Sequence, residues 1–146
     1  MKHYILIAFC SLITFTNCSI DNNTNDIPKV ITKTYWHLKN VSGGIAGVDN
    51  NFNLDDIIWQ FNDLTGDLTV TNTNTDDTIE DALESGDYSF SVTTDNTDNY
   101  LIIDDNEYGS YIISETELII DQNVTSSGSG ADGFIYTFQR VLVVED

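Results

Sequence analysis

Positive charge is what this chain has least of: five Lys and Arg residues stand against 24 Asp and Glu, a formal net charge of −19. Nucleic-acid binding needs a basic footprint, so that class of partner is excluded. The acidic excess also repels anionic head groups, so membrane association would have to come from an anchor. Cysteine and histidine are scarce as well, with two of each, and no Cys/His cluster is spaced for zinc. Pro28 is the one proline, and no amphipathic stretch is long enough for a helix to organise the fold. Gly-x-Ser-x-Gly elbows, phosphate loops and histidine-dependent triads are all missing, so neither an enzyme nor a cofactor is expected. Beyond the N-terminus no apolar run approaches the roughly 20 residues that a membrane-crossing helix needs.

The N-terminus, "MKHYILIAFCSLITFTNC", has a different character. Lys2 and His3 make a short positive region and residues 4–15 an apolar one, the pattern of a secretory signal over residues 1–17. Cys10 leaves with that signal, and Cys18 stands where the cut would fall. This placement resembles the lipobox of bacterial lipoproteins, although Phe15, Thr16 and Asn17 depart from its strict pattern. The resemblance implies lipidation of Cys18 and an outer-membrane protein on the periplasmic or cell-surface face. Asp21 and Asp26 resemble the acidic signals that send some lipoproteins outward. An ordinary signal peptide, with Cys18 removed or left as a free thiol, is the competing reading. Residues 18–32, rich in Asn, Asp and Thr, read as the lipidated cysteine and a flexible tether.

From there to residue 146 the apolar period is two. "DDIIWQFN" sets Ile57, Trp59 and Phe61 on one face, "GDLTVTN" sets Leu68 and Val70, and "GDYSFSVTT" sets Tyr88, Phe90 and Val92. "TKTYWHLKNV", "NYLIID", "YGSYIIS", "ELIID" and "GFIYTFQRVLVV" complete eight strands, with Phe134, Tyr136 and Phe138 sharing a face in the last. Short connectors such as "NDLTGD" and "DDNE" make sequence neighbours antiparallel neighbours. The expected fold is all-β: an up-and-down antiparallel eight-stranded barrel over residues 33–146, with a two-sheet β-sandwich as the alternative. Three connections are longer, and residues 78–83 in the middle one have the composition for a single helical turn.

"YWHLKNVSGG", "IIWQFN", "SGDYSFSV", "YGSYIIS" and "DGFIYTFQR" together resemble the lipocalin-like lipoproteins of Gram-negative bacteria. Lipocalins carry Gly-x-Trp on the first strand and a late Arg packed on that Trp. Trp36 and Arg140 match those two positions, and Thr34 replaces the glycine. The resemblance implies a lipocalin-like barrel that sequesters a small ligand. Physics gives the pair a role of its own, because first and last strands must meet for a barrel to close. An Arg over an indole there gains about 0.5–2 kcal/mol. The plainer alternative makes Trp36 core and Arg140 a solvated strand end.

The inward aromatics Trp59, Phe61, Tyr88, Phe90, Tyr136 and Phe138 are core first and candidate pocket second, because eight strands leave room for side chains or one small ligand. If a pocket exists, the hydroxyls of Tyr88 and Tyr136 need partners there, and "SGGIAGVDNNF" has glycines enough to lid its mouth. His37, alternating with Trp36 and Leu38, is expected to point outward into solvent. The carboxylates of residues 76–81 and 104–107 fall in turns and match no EF-hand, so a metal site is not expected. A monomeric, non-catalytic binder of a small, partly apolar ligand is the leading expectation. A filled barrel whose acidic loops dock a basic protein is the alternative.

Overall fold

In the computed structural model residues 31–95 and 97–145 are described, and Cys18 and the signal segment lie outside them. Eleven strands form: β1 (Ile31–Gly43), β2 (Val48–Asn51), β3 (Ile57–Asn62), β4 (Asp67–Asn72), β5 (Gly86–Asp95), β6 (Asp98–Ile103), β7 (Asn106–Ile113), β8 (Glu117–Asp121), β9 (Val124–Thr125), β10 (Gly128–Ser129) and β11 (Phe134–Glu145). All pairings are antiparallel. The main sheet runs β11-β8-β7-β6-β5-β4-β3-β1-β2, and β11 pairs with β1 to close it. The result is a closed up-and-down barrel of eight strands, lipocalin-like in architecture. The extra strand β2 extends the ladder beside the far end of β1, and β9–β10 is a separate short hairpin.

Alternation along each strand explains the core. Ile57 and Trp59 are buried on β3, Leu68 and Val70 on β4, Leu118 and Ile120 on β8, and Tyr136 and Phe138 on β11. Bulges re-phase two strands. Opposite β11 the register skips Lys39, which brings Val41 rather than Asn40 into the core. Opposite β6 the register skips Tyr108, which packs inside beside Tyr136. At the β6–β7 turn Asp104 and Asp105 both have positive φ, 46° and 63°, as a two-residue hairpin of right-handed twist demands. The Asp104 carboxylate fixes this turn by accepting the Ser89 N–H and hydroxyl at 2.9 and 3.0 Å. Asp105 makes no such bond among the described residues and carries only the strain. Asp105→Gly is expected to stabilise the barrel by about 0.5–1 kcal/mol, read as a higher melting temperature.

Several local expectations are corrected. Ile31 and Thr32, assigned to the tether, belong to β1, where they pair with Glu145 and Val144. Residues 78–83 form no helical turn; they run through turns and irregular chain. His37 does face outward, but the loop after β2 covers it, and it is only 8% exposed. Its Nδ1 bonds to the Leu54 carbonyl, so it is not solvated. The glycine-rich "SGGIAGVDNNF" lids nothing: it turns at residues 44–47 and returns as β2 along the outside of β1.

Candidate functional site

The two ends of the barrel differ because the connections do. At one end lie the tight turns β3–β4, β5–β6 and β7–β8, together with the start of β1 and the end of β11. At the other lie all the long connections. The long-loop end is plugged. Ala82 and Leu83, in the β4–β5 connection, pack against the buried core. Asn72 and Asn74 hold that connection by donating to Asp81 Oδ2 at 3.0 and 2.9 Å, and Asn72 also donates to the Leu83 carbonyl at 3.0 Å. The Tyr136 hydroxyl donates to Glu80 Oε1 at 2.9 Å, which ties the plug to the barrel wall.

Below the plug sits an aromatic stack. Trp59 contacts Phe61, Tyr108 and Phe138 at centroid distances of 6.1, 5.8 and 4.8 Å, and Tyr108 stacks on Tyr136 at 5.6 Å. Burial pushes the Tyr136 hydroxyl far above the ordinary tyrosine range, with Tyr108 and Glu80 adding to it. Burial does the same to Tyr108. Both therefore stay protonated in the folded chain, whereas the unfolded chain ionises them near pH 10. Stability is complete below that pH and falls as pH rises above it, by up to about 1.4 kcal/mol per pH unit for each tyrosine. Urea midpoints at pH 9, 10 and 11 should drop accordingly, and Tyr136→Phe should make the slope shallower. A midpoint flat to pH 11 would mean that these hydroxyls are not buried.

The tight-turn end is hollow. A cavity of about 400 Å³ opens there, with Phe61, Phe90, Leu101 and Leu118 as apolar walls and Trp36 and Arg140 on the β1–β11 side. Thr34, Asp63, Val92, Tyr111, Ile113 and Ser114 complete the lining. The volume falls within the range of small-molecule sites. Trp36 and Arg140 are direct partners across the β1–β11 pair, with the guanidinium carbon 6.0 Å from the indole centroid.

Of the six aromatics singled out in the sequence, Phe61 and Phe90 line this cavity. Trp59, Tyr136 and Phe138 do not; they fill the barrel between cavity and plug, each at most 1% exposed. Tyr88 is also away from it, and its hydroxyl donates to the Glu84 carbonyl at 3.0 Å. Both tyrosine hydroxyls thus find protein partners at the plugged end. Sequence reasoning missed Leu101, Tyr111, Ile113 and Leu118 as lining residues; their alternation marks an inward face but not its level along the barrel axis.

The acidic turns are largely occupied by their own chain. Asp76 binds the Thr78 N–H and hydroxyl, Asp104 holds Ser89, and Glu107 accepts the Ser126 N–H at 2.7 Å and its hydroxyl at 2.5 Å. No group of three or more His, Cys, Asp or Glu residues among those described is disposed to hold a metal ion. Compared with known proteins, the chain matches no family model, no curated sequence and no solved structure.

Proposed function

We propose that this protein is a lipid-anchored lipoprotein of the lipocalin-like kind, at the outer membrane or cell surface, whose barrel holds a small, partly apolar ligand. It is a non-catalytic, monomeric binder in this reading. One observation carries it: an apolar cavity of about 400 Å³ opens at one end of an otherwise packed barrel. A second fits it. Strand β1 begins at that same end, so the sequence bearing Cys18 joins the barrel beside the mouth, and an anchor there would hold the mouth toward the bilayer. Ile31, Leu64, Ile112 and Leu142, all at this end, are exposed apolar side chains suited to a membrane-facing rim.

Every strand of the barrel lies within residues 31–145, so a chain begun at Ser19 carries all of them. A native mass spectrum of that chain, set beside a denatured one, is expected to show an extra mass that leaves on denaturation. A bare polypeptide mass, unmoved by fatty acids, sterols or haem, would overturn ligand binding. For the anchor, Cys18→Ser in the full chain should shift the protein from the membrane fraction to the soluble one. Unchanged fractionation would count against lipidation at this residue.

A further inference from the structure

Arg140 is the unusual group in the cavity. Three of the chain's cations fall among the described residues, and two of them are in ion pairs: Lys33 with Glu145 at 2.6 Å and Lys39 with Glu117 at 3.5 Å. Arg140 has no carboxylate partner among the described residues, in a chain with 24 acidic side chains to choose from. Its hydrogen bonds are at the limit of the interaction. Nη1 reaches the Glu115 carbonyl at 3.5 Å, Nη2 reaches Thr34 Oγ1 at 3.5 Å, and the buried Nε has no partner. A buried donor left unpaired costs about 1–3 kcal/mol, and more when it is charged. Packing on Trp36 explains where the guanidinium lies but supplies no acceptor for its N–H groups.

We propose that Arg140 receives the anionic head of the ligand, and that the ligand class is an apolar molecule ending in a carboxylate. This rests on the cavity being a binding site. A carboxylate offers two oxygens in the spacing of the guanidinium fork, and such charge-assisted pairs are roughly twice as strong as neutral ones. Thr34 lies in the same lining with a hydroxyl that can donate to the same head, while Phe61, Phe90, Leu101 and Leu118 would enclose the tail. Asp63, the one carboxylate in the lining, is exposed in the β3–β4 turn, where water screens it.

The test holds the tail constant and changes the head. The chain from Ser19 is titrated calorimetrically with dodecanoate and dodecyltrimethylammonium, each below its micelle concentration, and with dodecanol below its solubility limit. Dodecanoate is expected to bind about tenfold or more tighter than the alcohol, with the cation weakest. In Arg140→Gln the preference for dodecanoate should collapse to within about twofold of the alcohol. Arg140→Lys, which keeps the charge but loses the fork, should retain part of the preference. Equal binding of all three heads by the wild type would overturn the role of Arg140 and leave the cavity reading standing. Binding of none would remove the cavity reading and this inference with it. Because the head series is run on the wild type, the proposal can fail even if neither variant folds.

Discussion

Trp59→Ala is expected to bring the barrel to the edge of unfolding. Trp59 has no exposure, and three aromatic neighbours pack around it between the cavity and the plug. Removing such a side chain costs about 3–5 kcal/mol, because the closed wall cannot collapse into the void. Single domains have about 5–15 kcal/mol in total, so the variant would lose a large share of its stability. Trp59→Phe should cost far less: it keeps most of the volume and deletes the indole N–H, which is buried without a partner. Equilibrium urea unfolding of the two variants beside the wild type makes the comparison. A loss under about 1 kcal/mol for the alanine variant would show that the barrel is not packed around this residue.

Gly109→Ala is the second large effect, and it acts through the backbone. Gly109 follows the bulged Tyr108 and holds φ at 148°, a conformation that L residues rarely adopt. A Cβ there would stand 2.6 Å from the Asp121 carbonyl oxygen and 2.9 Å from its carbon. Those are backbone atoms at the end of β8 and cannot rotate away. Strain of about 1–3 kcal/mol adds to a clash of similar size, so the loss should reach about 2–6 kcal/mol. The damage would be directed, because parting β7 from β8 also shifts Tyr108 away from Tyr136. Near-ultraviolet circular dichroism should therefore fall along with the melting temperature. A wild-type melt for Gly109→Ala would show that the bulge is not needed.

The barrel itself was legible in the sequence because its physics is local. "DDIIWQFN" and "ELIID" bury alternate residues, and the tight turns leave each strand little choice of partner. What was not legible depends on levels and covers. Trp59 and Phe61 stand on the same face of β3 two residues apart, yet one is sealed in the core and the other lines the cavity. Strand tilt and the depth of the plug decide that, and neither leaves a mark in period two. The cover over His37 comes from an irregular loop, whose path no alternation encodes. The bulges at Lys39 and Tyr108 likewise break the pattern that sequence reading relies on. Trp36 and Arg140 could be placed on the first and last strands, but the lack of an acid beside Arg140 is a fact of three dimensions.

Closure of the barrel by its first and last strands also sets the order in which the protein can come into being. β1 pairs with β11 along twelve positions, from Ile31 with Glu145 to Gly43 with Phe134. These partners are separated by nearly the whole domain, so the contacts that seal the wall are the slowest to be made. Until residues 134–145 have been synthesised, β1 and β8 each present an open edge, and the pairing that shelters them has no second half. Local pairs such as β3–β4 need only their own two strands, whereas the wall closes when β11 arrives, so closure is the last step in making the barrel.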